Sequence, residues 1–356
     1  MTRLISYAEA LREAQDYCLG AYPECFLMGL GVPDPKGIFG STLGLQDKYG
    51  PDRVFDVPLS ENAMTGVALG SAISGMRPVL THQRVDFALS SIEQLVNQAA
   101  KWHYMFGGRM KAPMVIRMVI GRGWGQGPQH SQSLHSWFAH IPGLKVILPT
   151  SPHDAKGMLI SAIEDENPVV CLEHRWLYGV SDAVPKGDYR VPIGECRVVR
   201  PGTDITLVGV SYMTLECLRA AEVLAQHGVA AEVIDLRTAR PLDGQTILDS
   251  TRRTGRILTV DHAPTFCGIS SEISSLVTNT QFSTLSAAPQ SLGLPDHPTP
   301  TSPSLSDQYY PLANQIVFKC ATTLGIDIKF HPPQEELLWA AVPAGPWVVV
   351  SDLRSA

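Results

Sequence analysis

Apolar residues fall in two rhythms along this chain. Short β-branched or apolar runs predict buried strands at Cys25–Gly29, Pro78–His82, Met114–Ile120, Leu144–Leu148 and Pro168–Glu173. Between them lie longer stretches with helical spacing. Ser6 to Leu19 reads as a first helix, with Ser6 as N-cap and Glu9 three residues later in a capping-box pattern. Ser90 to Tyr104 places Ile92, Leu95, Val96 and Ala99 on one helical face, and His153 to Glu164 reads as another helix. Leu30 to Gly44, rich in Gly and Pro, reads as loop. Strands that alternate with helices predict a mostly parallel sheet covered on both faces.

The rhythm breaks between residues 180 and 200, which read as a linker or an edge ribbon, and then restarts. Strands are expected at Thr206–Val210, Ala231–Asp235 and Arg256–Val260. Helices are expected at Thr214–Gln226, Asp243–Thr254 and Leu312–Leu324. Residues 283–310, rich in Pro and Ser, read as loop. The fold class expected is therefore α/β with two doubly wound parallel-sheet domains, 1–190 and 191–327, followed by an unassigned tail, 328–356.

Composition narrows the setting. A chain of 356 residues, 44% hydrophobic and 17% charged, has ample material for two cores. Its net charge of -6 argues against nucleic-acid or anionic-membrane partners. Seven scattered cysteines, without a CxxC pair, form neither a disulfide framework nor a zinc site. No apolar run has signal-peptide or membrane-span character, so a cytoplasmic setting is expected.

Four stretches carry candidate chemistry. LSENAMTGVALGSAISGMRP, residues 59–78, opens a helix on an acid, Glu61, where the macrodipole favours negative charge. Gly66 and Gly70 share a face that admits another backbone or a flat ring, and the helix should stop near Gly75. On spacing alone Glu61 reads equally as a structural acid at a helix start. GRGWGQGPQHSQS, residues 121–133, is a Gly-rich loop after a buried strand, where ligands bind in α/β sheets. It offers Gln129 and His130, and histidine is the side chain that ordinarily titrates near neutrality. An exposed loop histidine is the alternative. THQRVDF, residues 81–87, ends a strand. Its Gln83 or Arg84 suits a polar or anionic substrate, the guanidinium fork matching a carboxylate. Asp86 lies two residues on, and in a strand would share Arg84's face. Asp165-Glu166-Asn167-Pro168 reads most simply as a helix-stop turn.

These stretches resemble one family over roughly residues 3–325. SENAMTGVALGSAISGMRPV, and HSQSLHSWFAHIPGLKVILP after the Gly-rich loop, resemble the beta subunit of the first, decarboxylating component of the thiamine diphosphate-dependent 2-oxo acid dehydrogenases. That family includes the pyruvate, branched-chain and acetoin enzymes of the transketolase-like group. The resemblance implies a pyrimidine-binding domain in residues 1–190 and a transketolase C-terminal domain in 191–327. It implies that Glu61 hydrogen-bonds the N1′ nitrogen of the cofactor's aminopyrimidine and that His130 faces the substrate. Phe87 fits the family pattern as a cofactor-binding residue, with Val85 standing where some members carry a stacking aromatic. Asp165 and Asn167 match residues that enclose a potassium ion in branched-chain relatives. His135 and His140 are expected to be structural.

The chain departs from the pattern in two places. Leu30 replaces an acid that usually follows the Cys25–Gly29 strand, and His82, Gln83 and Arg84 replace the common residues there. No GDG motif occurs, so oxygen ligands for magnesium are not assembled. A separate alpha-type subunit should hold magnesium and the diphosphate, giving an α2β2 heterotetramer that is active only as a pair. The acceptor would be a lipoyl group on an acyltransferase. Two other readings stand beside this one: a non-oxidative carboligase or transketolase-type ketol transferase, and a catalytically silent assembly subunit.

Overall fold

A computed structural model describes residues 2–123, 125–306 and 308–328. The expected tail falls almost wholly outside these. The chain forms two compact units, Met1–Ile193 with Thr238–Pro241, and Gly194–Arg237 with the described chain from Leu242 onward.

The first unit is built on a seven-stranded sheet. Its spatial order is Thr238–Arg240, Lys145–Ile147, Val169–His174, Val115–Ile120, Arg77–His82, Cys25–Met28 and Val54–Phe55. Every neighbouring pair is parallel except the first, where Thr238–Arg240 runs antiparallel to Lys145–Ile147. Val115–Ile120 and Val169–His174 are buried at every position, as strands covered on both faces must be. Helix Tyr7–Ala21 carries the capping box of Ser6 and Glu9 and buries Leu11, Ala14 and Cys18. Ser151 caps helix Pro152–Glu164 by accepting from the Asp154 N–H.

One direction change in this sheet decides where a ligand can sit. From Cys25–Met28 the chain runs outward to the edge strand Val54–Phe55. From Arg77–His82, on the other side of Cys25–Met28, it runs the opposite way to Val115–Ile120. Connections that part in this way leave a crevice beyond the carboxyl ends of the two strands.

The second unit has a five-stranded sheet in the order Gln290–Leu294, Ile257–Pro264, Ile205–Gly209, Ala231–Asp235 and Arg197–Arg200, parallel except for the last strand. Leu207, Val233 and Leu258 pack with Leu224, Ile316 and Val317 in its core. Helix Gly244–Thr254 is capped by Asp243, which accepts from the Thr246 N–H, and ends at Gly255 in the left-handed conformation.

Residues 180–200 take the edge-ribbon form of their two expected alternatives, and two further segments differ from the sequence expectation. Residues 180–200 hold two edge strands: Ser181–Pro185 pairs antiparallel with Thr2–Ser6, and Arg197–Arg200 pairs antiparallel with Ala231–Asp235. The expected loop 283–310 contains the edge strand Gln290–Leu294 and the short helix Pro303–Ser306. That strand, QSLGL, offers only Leu292 and Leu294 as apolar side chains, too short a pattern to mark it within a Pro- and Ser-rich stretch. The expected helix Ser90–Tyr104 is irregular, with a 3-10 turn at Phe87–Ser91, a π-helical stretch at Gln94–Ala99 and regular helix only at Ala100–Met105.

Candidate active site

The crevice at the direction change is an open cleft. Leu30, from beyond Cys25–Met28, forms one wall, and Leu80, Thr81, His82, Gln83 and Phe87 form the other. Val57, Pro58, Leu59, Glu61 and Met64 close it from the helix side. Its walls are mainly apolar, and its polar groups are few and placed at one end of a sheet, as small-molecule sites are built.

Glu61 is the first residue of helix Glu61–Ile73. Small residues let this helix lie close to its neighbours, and it buries Thr65, Ala68, Leu69 and Ala72. Gly66 faces the Gln94 side chain of the π-helical stretch: a Cβ there would lie 3.4 Å from Gln94 Oε1. Gly70 has nothing within 4 Å. The expected shared glycine face is thus closely approached, within the described chain, only at Gly66. The helix ends at Ser74, with Gly75 at φ +100°.

His130 closes a short 3-10 turn, Pro128–His130, in the Gly-rich loop. Its ring stands edge-on to Phe87, with centroids 5.4 Å apart and planes at 82°. Phe87 lines the cleft with Glu61, and His130 packs against Phe87 without itself lining the cleft. The loop is tied down at both ends. The Gly121 N–H donates to the Gln132 carbonyl at 3.1 Å, and Gln132 Nε2 donates to Asp86 Oδ1 at 2.8 Å. Burial raises the pKa of Asp86, against the hydrogen bonds from Gln132. Gly121 itself, at φ +77°, leaves no space for a side chain: a Cβ would lie 2.6 Å from His174 Nε2.

The stretch 81–87 does not run as a strand. The strand ends at His82 and a 3-10 turn begins at Phe87, so Arg84 and Asp86 are not related by strand alternation. Arg84 is buried and donates from Nη1 to the Gly121 carbonyl at 2.7 Å, while Asp86 accepts from Gln132. Gln83 lines the cleft and donates from Nε2 to the Leu30 carbonyl at 3.2 Å. Val85 is fully buried and is not among the cleft-lining residues, and its backbone N–H donates to the Val119 carbonyl. Its side chain therefore presents no face to the cleft. Gln129 is exposed on the His130 turn. His135 and His140 open and close helix His135–His140 and do not line the cleft.

Sequence reasoning passed over His82. It is 5% exposed, lines the cleft, and has a buried Nε2 with no hydrogen-bonding partner among the described residues. Burial pushes its pKa down to about 4, so the ring is neutral at pH 7. The available signal was its departure from the family's usual residues at the end of a strand.

Asp165 and Asn167 lie at the opposite, amino-terminal end of Val169–His174. Asp165 Oδ1 accepts from the Asn167 N–H at 2.9 Å, the geometry of a helix-stop turn. Lys145 Nζ is hydrogen-bonded to Asp165 Oδ2. The Arg77 guanidinium donates to the carbonyls of Ile163 and Asp165 at 2.9 and 3.1 Å. Two protein cations therefore already occupy this turn. Among the described residues no group of three or more His, Cys, Asp or Glu could hold a metal ion, and no helix is long and apolar enough to cross a membrane.

Comparison with known proteins agrees with this architecture. Residues 3–180 match the transketolase pyrimidine-binding domain and residues 194–316 the transketolase C-terminal domain. The chain is 42% identical, over 91% of its own length and 98% of the relative's, to the acetoin:2,6-dichlorophenolindophenol oxidoreductase subunit beta of Cupriavidus necator. The protein of the same description from Bacillus subtilis is 36% identical over 91% of this chain and 98% of its own. The mitochondrial pyruvate dehydrogenase E1 component subunit beta-2 of Oryza sativa subsp. japonica is 40% identical, over 87% of this chain and 83% of its own. Among solved structures, a chain described as split gene transketolase, inactive beta4 tetramer, superposes with a TM-score of 0.74 at 22% identity. The match covers 90% of this chain and 99% of that one, a likeness of fold.

Proposed function

The chain belongs to the beta subunits of thiamine diphosphate-dependent 2-oxo acid dehydrogenase first components, and from that premise we propose that it supplies the pyrimidine half of a decarboxylating, acyl-transferring active site. The observation that carries this reading is the cleft at the sheet's direction change, with Glu61 at a helix N-terminus beside the apolar surfaces of Leu30, Met64, Leu80 and Phe87. Those surfaces fit a flat aromatic ring, and a carboxylate at the ring's edge fits a nitrogen that must be held and protonated.

Thiamine diphosphate, when bound, supplies the electron sink that makes loss of carbon dioxide from a 2-oxo acid possible. This chain's residues do the rest of the work on its side of the site. Glu61 holds a proton at the N1′ nitrogen and exchanges it during cofactor activation. Leu30, in place of an acid, keeps that wall free of a second carboxylate. Phe87 and Met64 exclude water around the ring. His130, packed against Phe87, donates a hydrogen bond or a proton to a substrate oxygen. Gln83 and the more exposed Gln129 are the polar groups available to the substrate carboxylate or the acceptor, whereas Arg84 orients the loop through Gly121.

The sequence holds no GDG motif, so magnesium and the diphosphate are assigned to an alpha-type subunit in an α2β2 assembly. The acceptor is assigned to a lipoyl group on a partner acyltransferase. Potassium has no role in this reading, because Arg77 and Lys145 already supply positive charge at Asp165.

His130→Ala tests the loop's part. In the assembled pair it is expected to lower kcat by roughly 10²-fold or more, the scale of a lost general acid. Assembly and thiamine diphosphate affinity should stay near wild type, because the ring is only half-buried in a short turn. Steady-state kinetics with a panel of 2-oxo acids, alongside calorimetric cofactor titration, reads both. Wild-type turnover with every substrate would make His130 part of the framework.

A further inference from the structure

His82 stands in the wall of the cleft and has no part in the chemistry above. The strand Arg77–His82 ends on it, and its Nε2 is buried without a partner among the described residues. A buried ring nitrogen left unpaired is destabilising, and an apolar side chain would line the same wall without that cost. What the nitrogen meets when a ligand is bound is therefore its most direct explanation. Apart from Thr81 Oγ1, which is also buried without a partner among the described residues, the other walls are matched: the apolar side chains suit a ring, and Glu61 suits the ring nitrogen. Gln83 is held to the Leu30 carbonyl. A neutral imidazole does not attract a carboxylate as a cation would. It pairs with a neutral polar group, and a hydroxyl, both donor and acceptor, satisfies either tautomer.

We propose that His82 is a specificity residue that selects 2-oxo acids carrying a hydroxyl group near the reacting carbonyl over alkyl 2-oxo acids of the same size. The assignment rests on the decarboxylase reading given above and names its substrate class. An alkyl substrate would leave the buried Nε2 unpaired, whereas a hydroxylated one pairs with it.

The test uses the purified two-chain complex and a size-matched pair of probes, 2-oxobutanoate and 3-hydroxy-2-oxopropanoate. Wild type is expected to favour the hydroxylated acid in kcat/KM by roughly 10- to 100-fold, the ratio for one buried polar atom left unpaired. His82→Leu should abolish that preference mainly through the hydroxylated substrate. Thiamine diphosphate affinity should be unchanged by calorimetry, and the melting temperature should not fall. His82→Gln, which keeps a donor and an acceptor, should retain part of the preference. Equal losses on both substrates, or a lower melting temperature with the preference intact, would assign His82 to the framework and overturn the proposal. A complex that binds thiamine diphosphate but shows no preference, or takes neither acid, overturns the His82 assignment alone. A complex that binds no thiamine diphosphate overturns the decarboxylase reading beneath it.

Discussion

Glu61→Gln, in the chain assembled with its alpha-type partner, is expected to lower turnover by roughly 10²- to 10⁴-fold, the range for removing a positioned acid–base group. The fold should be unaffected. Glu61 is the first residue of its helix, it is only partly buried, and no described residue hydrogen-bonds its carboxylate. An amide keeps the size and can still accept a hydrogen bond, but it cannot take up and release a proton. The loss should therefore fall on cofactor activation rather than on binding. Exchange of the thiazolium C2 proton, followed by NMR in deuterated buffer, reads that step directly. Exchange near the wild-type rate in the variant complex would remove Glu61 from the mechanism, whatever happened to overall turnover.

Arg117→Met should have the largest effect on stability, about 3–5 kcal/mol. Arg117 lies on the central strand Val115–Ile120 and Glu173 on its neighbour, one ladder step away on the same face. Both side chains are essentially without solvent contact, at 0% and 1% exposure. The pair is bidentate, Nε to Oε1 at 2.6 Å and Nη2 to Oε2 at 2.9 Å. Gln15 Oε1 and Ser41 Oγ accept two of the three remaining guanidinium hydrogens at 2.7 and 2.9 Å, and the Tyr178 hydroxyl donates to Glu173. Burial disfavours the guanidinium charge, but Glu173 more than offsets it and the pKa of Arg117 stands raised. Methionine fills much of the volume and leaves Glu173 buried, charged and unpaired, which is the costly half of breaking such a pair. Replacing both residues, Arg117→Met with Glu173→Leu, should recover much of the loss. Denaturant midpoints for the single and double variants measure this. A single variant within about 1 kcal/mol of wild type would show that the pair contributes no more than an exposed one.

How far the sequence could be read varied with the physics involved. Val115–Ile120 and Ala231–Asp235 are legible because strands buried on both faces are mainly apolar runs, interrupted here only by Arg117, Glu232 and Asp235. The helix opening at Glu61 was legible from its acid, its small residues and its stop at Gly75. Helix Ile269–Gln281 was not anticipated, although Ile269, Ile273 and Val277 recur every fourth residue, because polar residues dilute the stripe. Edge strands such as Ser181–Pro185 depend on a partner far along the chain, and local pattern says little of them. Around the site, the residue types at 81–87 were plain but the backbone path was not. The local pattern suggests a strand period through Arg84 and Asp86, and the turn after His82 breaks it. His82 itself was legible only as a departure from a pattern. Its burial and its unpartnered nitrogen belong to the fold.

The division of one active site between two chains is tested most directly by calorimetric titration of thiamine diphosphate with magnesium into this chain alone, and then into the chain assembled with an alpha-type subunit. The cleft offers a carboxylate and apolar walls for a ring, and the sequence carries no GDG motif for a magnesium-bound diphosphate. The predicted result is no saturable magnesium-dependent binding by the chain alone and saturable binding by the pair. Tight magnesium-dependent binding by the isolated chain would contradict it.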